Sequence, residues 1–283
     1  MTHPAAPPTI RELLAAARKR LAAAPFASGR EAHLLLGHVL ALGEASLLAH
    51  DAEYVGDDIV ARFESLVVRR LAGEPVAYLL GRREFFGRLF AVDARVLVPR
   101  PETEHLVEAA LALADALPPR PRILDLGTGS GCIAVTLALE LPGSRVVATD
   151  RSPSALAVAS RNAAALGAPI GLVGAAWSNA LRAERFDLVV SNPPYLDPTS
   201  GEVAPEVARW EPGAALWAGS GGLDAYESLL DSLVPVRAGT PLLLEIGLGQ
   251  RQPLAALAAG RGWHLAAVHH DLAGIERVVE LRR

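Results

Sequence analysis

The chain of 283 residues carries 27 Lys and Arg against 31 Asp and Glu, a net charge of −4, and 51% of its residues are apolar. The acidic balance disfavours a protein that lives on phosphate backbones, and the apolar content suffices for one large or two modest cores. Cys132 is the single cysteine, which excludes an internal disulfide and is typical of a reducing compartment.

The chain shows no pattern for export, membrane insertion or metal binding. Met1 to Pro8 has no basic region followed by an apolar run, the pattern of a signal peptide. The later apolar stretches are short and interrupted, which disfavours a membrane span. His33, His38 and His50 lie on separate predicted turns without a matching carboxylate. We therefore expect a cytoplasmic protein without a metal site.

Residues 9 to about 72 are predicted to be helical. Two Ser/Thr-x-x-Glu capping boxes, at residues 9–12 and 28–31, each open an apolar run. The helices should end before a proline or near a glycine, with expected bounds near 9–24, 28–43 and 57–71. Because no residue set here suggests catalysis, residues 1–76 are interpreted as a small bundle that recognises a partner.

A β-hairpin is predicted next, since residues 78–92 alternate apolar and polar side chains around two glycines. It would connect the bundle to the rest of the chain over residues 77–94. A helix is then expected over residues 102–117, started after a proline and ended by a proline pair.

From residue 122 onwards, predicted strands alternate with predicted helices. The strands are expected at 122–126, 145–149, 170–173, 187–191, 241–246, 263–269 and 277–281. The helices are expected at 132–141, 153–166, 223–233 and 253–259. This alternation predicts an α/β fold with a mostly parallel sheet covered by helices on both faces. We assign this Rossmann-like domain to residues 95–283.

A glycine loop, Asp125-Leu126-Gly127-Thr128-Gly129-Ser130-Gly131, joins the first of these strands to its helix. The order strand, glycine turn, helix is that of a nucleotide-binding unit, although the spacing differs from the dinucleotide fingerprint. An acid at the strand tip would repel a pyrophosphate and favour a ligand with an amino group. Asp150 ends the next strand, where a carboxylate can accept hydrogen bonds from ribose hydroxyls.

The strand at 187–191 leads directly into Asn192-Pro193-Pro194-Tyr195. Each proline fixes its φ and lacks an N–H, so the backbone is stiff and can present its carbonyls as acceptors. Asn192 adds an amide and Tyr195 a flat ring, a combination suited to gripping a planar amino group. A ligand with a ribose, an adenine and a charged amino-acid tail is S-adenosylmethionine. Taken together, the loop, the two acids and this motif predict an amino-methyltransferase.

The chain resembles the PrmC/HemK family of protein-(glutamine-N5) methyltransferases. The residues that carry the resemblance are 83–87 (REFFG), 96–104 (VLVPRPETE), the glycine loop, 192–195 (NPPY), 211–216, 221–223, 244–247 and 271–274. NPPY is shared by several amino-methyltransferase families, whereas the PRPETE stretch is far more specific to this one.

The resemblance implies a class I S-adenosylmethionine-dependent methyltransferase fold and methylation of the Gly-Gly-Gln glutamine of class 1 peptide-chain release factors. It implies catalysis by Asn192, Pro193 and Tyr195 and substrate binding by the same three residues with Pro194. Arg100 and Glu102 are expected to contact the substrate peptide. The cofactor-binding residues implied are Asp125, Gly127, Thr128, Gly129, Ser130, Gly131, Asp150, Trp177 and Asn192.

The chain departs from the family pattern before Trp177, which is expected to lie against the adenine ring. Members of the family carry an aspartate at the preceding position, and this chain has Ala176. Adenine would then be bound by a backbone group near Ala176, or less tightly.

Two other functions remain open from the residues. The NPPY geometry also serves methylation of an exocyclic amine in DNA or RNA, with Tyr195 stacked on a base. That function predicts a basic surface, against which the acidic balance argues. A scaffold that binds the cofactor without turnover is the other possibility, and the intact NPPY motif argues against it.

Overall fold

The computed structural model describes residues 7–201 and 203–283. The prediction that Met1 to Pro8 contains no signal peptide concerns mostly residues outside this described part. Contacts divide the chain into two units, one of Met1–Gly81 with Pro205–Trp210 and one of Arg82–Ala204 with Glu211–Arg283. Within the described residues, no helix combines the length and apolarity needed to cross a membrane.

The first unit is helical, as predicted. Its helices are α1 (Ile10–Ala22), α2 (Glu31–Leu40), α3 (Glu44–Ala49), α4 (Asp57–Leu71) and α5 (Val76–Leu80). Their apolar faces meet in one core that contains Leu21, Leu35 and Phe63, each fully buried. A short helix from much later in the chain, Pro205–Trp210, belongs to the same unit.

The two predicted capping boxes have different outcomes. At Thr9 the box is confirmed, because its hydroxyl accepts the Glu12 N–H and the Glu12 carboxylate accepts the Thr9 N–H. At Ser28 the prediction is wrong, since α2 begins at Glu31 without a side-chain cap. The Glu31 carboxylate instead forms an ion pair with buried Arg70 at 2.7 Å. Because of this tertiary contact, the Glu31 side chain does not fold back onto the start of the helix as a capping box requires.

The second unit opens with the predicted hairpin, formed by β1 (Arg82–Phe85) and β2 (Arg88–Ala91). The hairpin starts later than predicted because α5 occupies the preceding residues. The predicted helix over 102–117 is confirmed only in its middle, as α6 (Glu104–Ala112), with 3₁₀ turns at Pro101–Thr103 and Ala114–Ala116.

The remaining elements follow the predicted alternation closely. In chain order they are β3 (Arg122–Leu126), α7 (Cys132–Glu140), β4 (Arg145–Asp150), α8 (Pro153–Leu166), β5 (Ile170–Gly174), β6 (Leu188–Ser191), α9 (Pro205–Trp210), α10 (Gly213–Leu216), α11 (Asp224–Ser232), β7 (Pro241–Glu245), α12 (Arg251–Ala259), β8 (His264–His270) and β9 (Glu276–Arg282). Of these, α9 belongs to the first unit. The short helices α3, α5, α9 and α10 are not predicted, because none is long enough to show a helical period.

The second unit is built on a seven-stranded sheet of order β5-β4-β3-β6-β7-β9-β8. Strands β5, β4, β3, β6 and β7 are parallel, and β9 is antiparallel to β7 and β8. Its central strands are buried on both faces, as expected where helices cover a parallel sheet. The strand order reverses between β3 and β6, which places a crevice at their carboxyl ends.

Candidate active site

A cavity of about 450 Å³ lies in the second unit. It is lined by residues that follow the carboxyl ends of β3, β4, β5 and β6, and by residues of α10 and α11. Its size is that of a small-molecule site, and its place is where open α/β sheets bind ligands.

The glycine loop forms one wall of the cavity. The N–H groups of Gly127 and Thr128 both donate to the Thr149 carbonyl at 2.9 Å, which ties the loop to β4. Gly127, Thr128, Gly129 and Ser130 line the cavity. Gly131 faces α8 instead, where a Cβ on it would lie 3.0 Å from the Ala159 Cβ. The structure therefore separates four loop residues that face the cavity from one that permits close helix packing.

Asp150 presents its carboxylate to the cavity in a fixed orientation. One oxygen accepts the Gly129 N–H at 2.9 Å and the other accepts the Ser152 N–H at 2.8 Å. Each carboxylate oxygen has a second lone pair. The side chain can therefore still accept hydrogen bonds from a ligand diol.

Asp125 lies beneath the loop and does not line the cavity. It is fully buried, and its carboxylate accepts a hydrogen bond from the Thr128 hydroxyl at 2.6 Å. Burial raises the pKa of Asp125 to about 7, although the Thr128 hydrogen bond opposes the shift. Asp125 therefore contacts the cavity lining through Thr128.

Trp177 lines the cavity next to the glycine loop. Its indole N–H donates to the Ser228 hydroxyl at 3.0 Å, and its ring lies 3.5 Å from the position of a Cβ on Gly127. The backbone of Trp177 is left-handed, with φ at +53°, which costs on the order of 1 kcal/mol and is held by the surrounding contacts. Ala176 also lines the cavity and offers no carboxylate there.

The NPPY motif follows β6, and the structure brings only part of it to the cavity. Asn192 and Pro194 line the cavity, whereas Pro193 is buried and Tyr195 lies outside the lining. The Asn192 Nδ2 donates to the Thr103 hydroxyl at 3.1 Å, which leaves Oδ1 as the end not held by Thr103. The Tyr195 carbonyl accepts from Gln250 Nε2 at 2.8 Å, and its hydroxyl donates to Glu245 at 3.4 Å.

Arg100 lines the cavity, and Glu102 does not. The Arg100 guanidinium pairs at 2.5 Å with Glu211, whose side chain is 1% exposed and also accepts the Val98 N–H. Glu102 is half-buried, and its charge is one of the influences that raise the pKa of Glu245.

The residues around this site that were not predicted include Thr103, Glu211 and Gln250. Thr103 and Glu211 both lie in motifs that carry the family resemblance, so the sequence marked them as unusual but did not indicate what they contact. Gln250 lies in no such motif, and its contacts with Tyr195 and Gly222 arise only from the fold.

The chain matches two family models. Residues 12–81 match a model described as PrmC N-terminal domain, and residues 103–208 match one described as Methyltransferase small domain.

Full-length relatives agree with these matches. A release factor glutamine methyltransferase of Cereibacter sphaeroides is 45% identical over 276 residues, covering 96% of this chain and 97% of the relative. A protein of the same name from Bordetella pertussis is 44% identical and covers 92% and 97%. Among solved structures, a methyltransferase from Pyrococcus furiosus has a TM-score of 0.51 at 15% identity, covering 77% of this chain and 96% of that one. The last comparison supports the fold alone.

Proposed function

The chain belongs to the release factor glutamine methyltransferase family, and we propose that it methylates the side-chain amide nitrogen of the glutamine in the Gly-Gly-Gln motif of class 1 peptide-chain release factors. The methyl donor we propose is S-adenosylmethionine, and the place of action is the cytoplasm. The observation that carries the proposal is that Asp150 and Asn192, which suit the donor and the substrate amide respectively, line one cavity.

The residues of the cavity fit the proposed donor. Asp150 would accept hydrogen bonds from the ribose hydroxyls, and Gly127 to Ser130 would surround the methionine part, with Asp125 acting through Thr128. Trp177 offers a flat face for the adenine ring, and Ala176 leaves its recognition to backbone groups. When bound, S-adenosylmethionine supplies an electrophilic methyl group on a positively charged sulfur.

The NPPY motif would orient the substrate. An amide nitrogen is a poor nucleophile because its lone pair is delocalised into the carbonyl. Hydrogen bonds from the substrate NH2 to the Asn192 Oδ1 and the Pro193 carbonyl would hold the nitrogen in line and increase its electron density. Tyr195 would pack on the amide plane. Such positioning contributes up to ~7–11 kcal/mol to a reaction barrier.

The remaining assignments concern the protein substrate. We propose that Arg100 and Glu102 contact the peptide beside the glutamine, since Arg100 lines the cavity and Glu102 lies near Tyr195's partner Glu245. We further propose that residues 1–76 recognise the release factor and that residues 95–283 catalyse the methyl transfer. Residues 77–94 would connect these two parts.

The test is mass spectrometry of a class 1 release factor after incubation with this protein and S-adenosylmethionine. A single added methyl that maps to the Gly-Gly-Gln glutamine is the expected result. An unmodified factor together with labelled methyl in DNA or RNA would refute the proposal in favour of a nucleic-acid amine. Cofactor binding without transfer to any of these would indicate a scaffold.

A further inference from the structure

The Asn192 amide has two ends with opposite hydrogen-bonding character, and only one suits the proposed substrate. A glutamine NH2 group is a donor, so it needs the Asn192 oxygen. If the amide were turned over, its own NH2 would face the substrate NH2. Some feature of the fold must therefore choose the orientation.

Thr103 contacts this amide directly but cannot make the choice alone. Its hydroxyl lies 3.1 Å from Asn192 Nδ2, and the residue is 2% exposed. A hydroxyl both donates and accepts, and its proton rotates to suit its partners. Thr103 could therefore pair with either end of the amide, depending on where its own proton points.

Glu245 determines which way the proton of the Thr103 hydroxyl points. It is 2% exposed at the end of β7, and the Thr103 hydroxyl is close enough to lower its pKa. Within the described residues, the Glu245 Oε2 has no partner other than the Thr103 hydroxyl, so it is free to accept a hydrogen bond from that hydroxyl. An ionised carboxylate only accepts, so the Thr103 proton must point toward it. The Thr103 oxygen then accepts from Asn192 Nδ2.

We propose that Glu245 and Thr103 are positioning residues that hold the Asn192 amide with its oxygen toward the cavity. The proposal rests on the proposed function, since it explains how an NH2 substrate is selected. Both residues would act on the substrate amide through Asn192. A protonated Glu245 could instead donate a hydrogen bond to the Thr103 hydroxyl, which would reverse the direction of both hydrogen bonds. The orientation of the Asn192 amide therefore depends on the charge of Glu245.

The charge of Glu245 is set by its surroundings. Burial raises the pKa of Glu245 to about 7, hydrogen bonds from Thr103 and Tyr195 and the charge of Arg277 lower it, and the charge of Glu102 raises it. The titratable and charged groups that face it are Glu102 before α6, Cys132 on α7, Tyr195 after β6, Tyr226 on α11 and Arg277 on β9. The orienting form is therefore lost as the pH falls below neutrality.

The experiment compares four variants of the full-length enzyme. Thr103→Val removes the hydroxyl at constant shape, Thr103→Ser restores it, and Glu245→Gln removes the charge. The matched control is Thr136→Val, because Thr136 is also fully buried but its hydroxyl has no hydrogen-bond partner in the described residues. We measure kcat on a release factor against pH, the Kd of S-adenosylmethionine, and the side-chain NH2 signals of Asn192 by ¹⁵N NMR, assigned with Asn192→Ala.

We expect Thr103→Val to lower kcat about tenfold, the loss of roughly one orienting hydrogen bond, with the cofactor Kd unchanged. Thr103→Ser should recover most of the rate, and Thr136→Val should match the wild type. The Asn192 NH2 signals should shift with a midpoint near neutral pH in the wild type and not in Glu245→Gln. The acidic limb of the kcat profile should flatten in the same variant.

Wild-type kcat in Thr103→Val, or equal losses of kcat and cofactor affinity, would overturn the proposal. Unchanged pH dependence of the NH2 signals in Glu245→Gln would overturn it as well. A wild-type enzyme that leaves release factors unmodified would refute the proposed function instead, and the NMR comparison would still decide whether the amide is held as described.

Discussion

Gly131→Ala is expected to destabilise the second unit, although the residue stands in a loop of ligand-facing glycines. Gly131 has φ at +82°, and a Cβ on it would lie 3.0 Å from the Cβ and 3.2 Å from the Cα of Ala159 in α8. Such distances require a shift of α8, because both atoms belong to a packed helix rather than to the end of a flexible side chain.

The magnitude follows from two separate costs. A left-handed alanine costs ~1–2 kcal/mol, and overpacking a close contact costs ~1–3 kcal/mol. Together they amount to roughly 2–5 kcal/mol of unfolding free energy. For a unit of this size about 2–4 °C are lost per kcal/mol, so the expected fall in Tm is roughly 4–20 °C.

Gly129→Ala is the matched control. Gly129 is also left-handed, with φ at +55°, but a Cβ there meets no atom within 4 Å. It should therefore lose only ~1–2 kcal/mol of stability. Because Gly129 lines the cavity, its variant should bind S-adenosylmethionine more weakly. Thermal unfolding by circular dichroism and calorimetric titration measure the two effects. Equal Tm values for the two variants would refute the reasoning.

Four further outcomes are expected. Asn192→Ala should lower the methylation rate roughly 100-fold while leaving the calorimetric cofactor Kd unchanged, and equal loss of both would contradict its role. Asp150→Ala should raise that Kd about tenfold or more, because an acceptor for the ribose hydroxyls is lost, and an unchanged Kd would argue against the contact. Burial raises the pKa of Asp125 to about 7, compared with ~3.9 in the unfolded chain. Between these pH values the native state keeps a proton that the unfolded state releases, so the free energy of unfolding falls as the pH rises. Asp125→Asn should reduce that fall in urea unfolding between pH 5 and pH 7, and a slope equal to the wild type's would exclude this origin. Arg70→Leu should cost ~3–5 kcal/mol because it strands the Glu31 carboxylate, whereas Arg20→Leu, which breaks an exposed ion pair, should cost under ~1 kcal/mol; similar urea midpoints for the two would disprove the difference.

The central sheet could be predicted closely from the sequence. In residues 122–126 the apolar Ile123, Leu124 and Leu126 lead directly into a glycine loop, and the observed strand has the predicted bounds. Helix α8 begins where Ser152 and the following proline predict it, with Ser152 as its N-cap. Because strand ends were predicted within about one residue, Asp150 and Asn192 could be assigned to one edge of the sheet.

The supporting contacts of the site could not be predicted, because they join distant parts of the chain. Thr103 meets Asn192 across 89 positions, and Glu211 meets Val98 across 113. A motif identifies such residues as unusual but does not say which partner the fold will bring. The same limit explains Ser28: its local capping pattern was overridden by Arg70, whose position relative to Glu31 is a property of the folded bundle.

The helical unit is not encoded by one continuous piece of the gene. Gly73 packs against α9, since a Cβ on it would lie 3.2 Å from the Glu206 Cβ and 3.3 Å from the Trp210 indole nitrogen. An expression fragment that stops at residue 81 would leave that surface uncovered, and its complement would carry α9 without the bundle it packs on. An expression fragment meant to test the first unit by itself should therefore carry residues 205–210, joined to residues 1–81 through a linker.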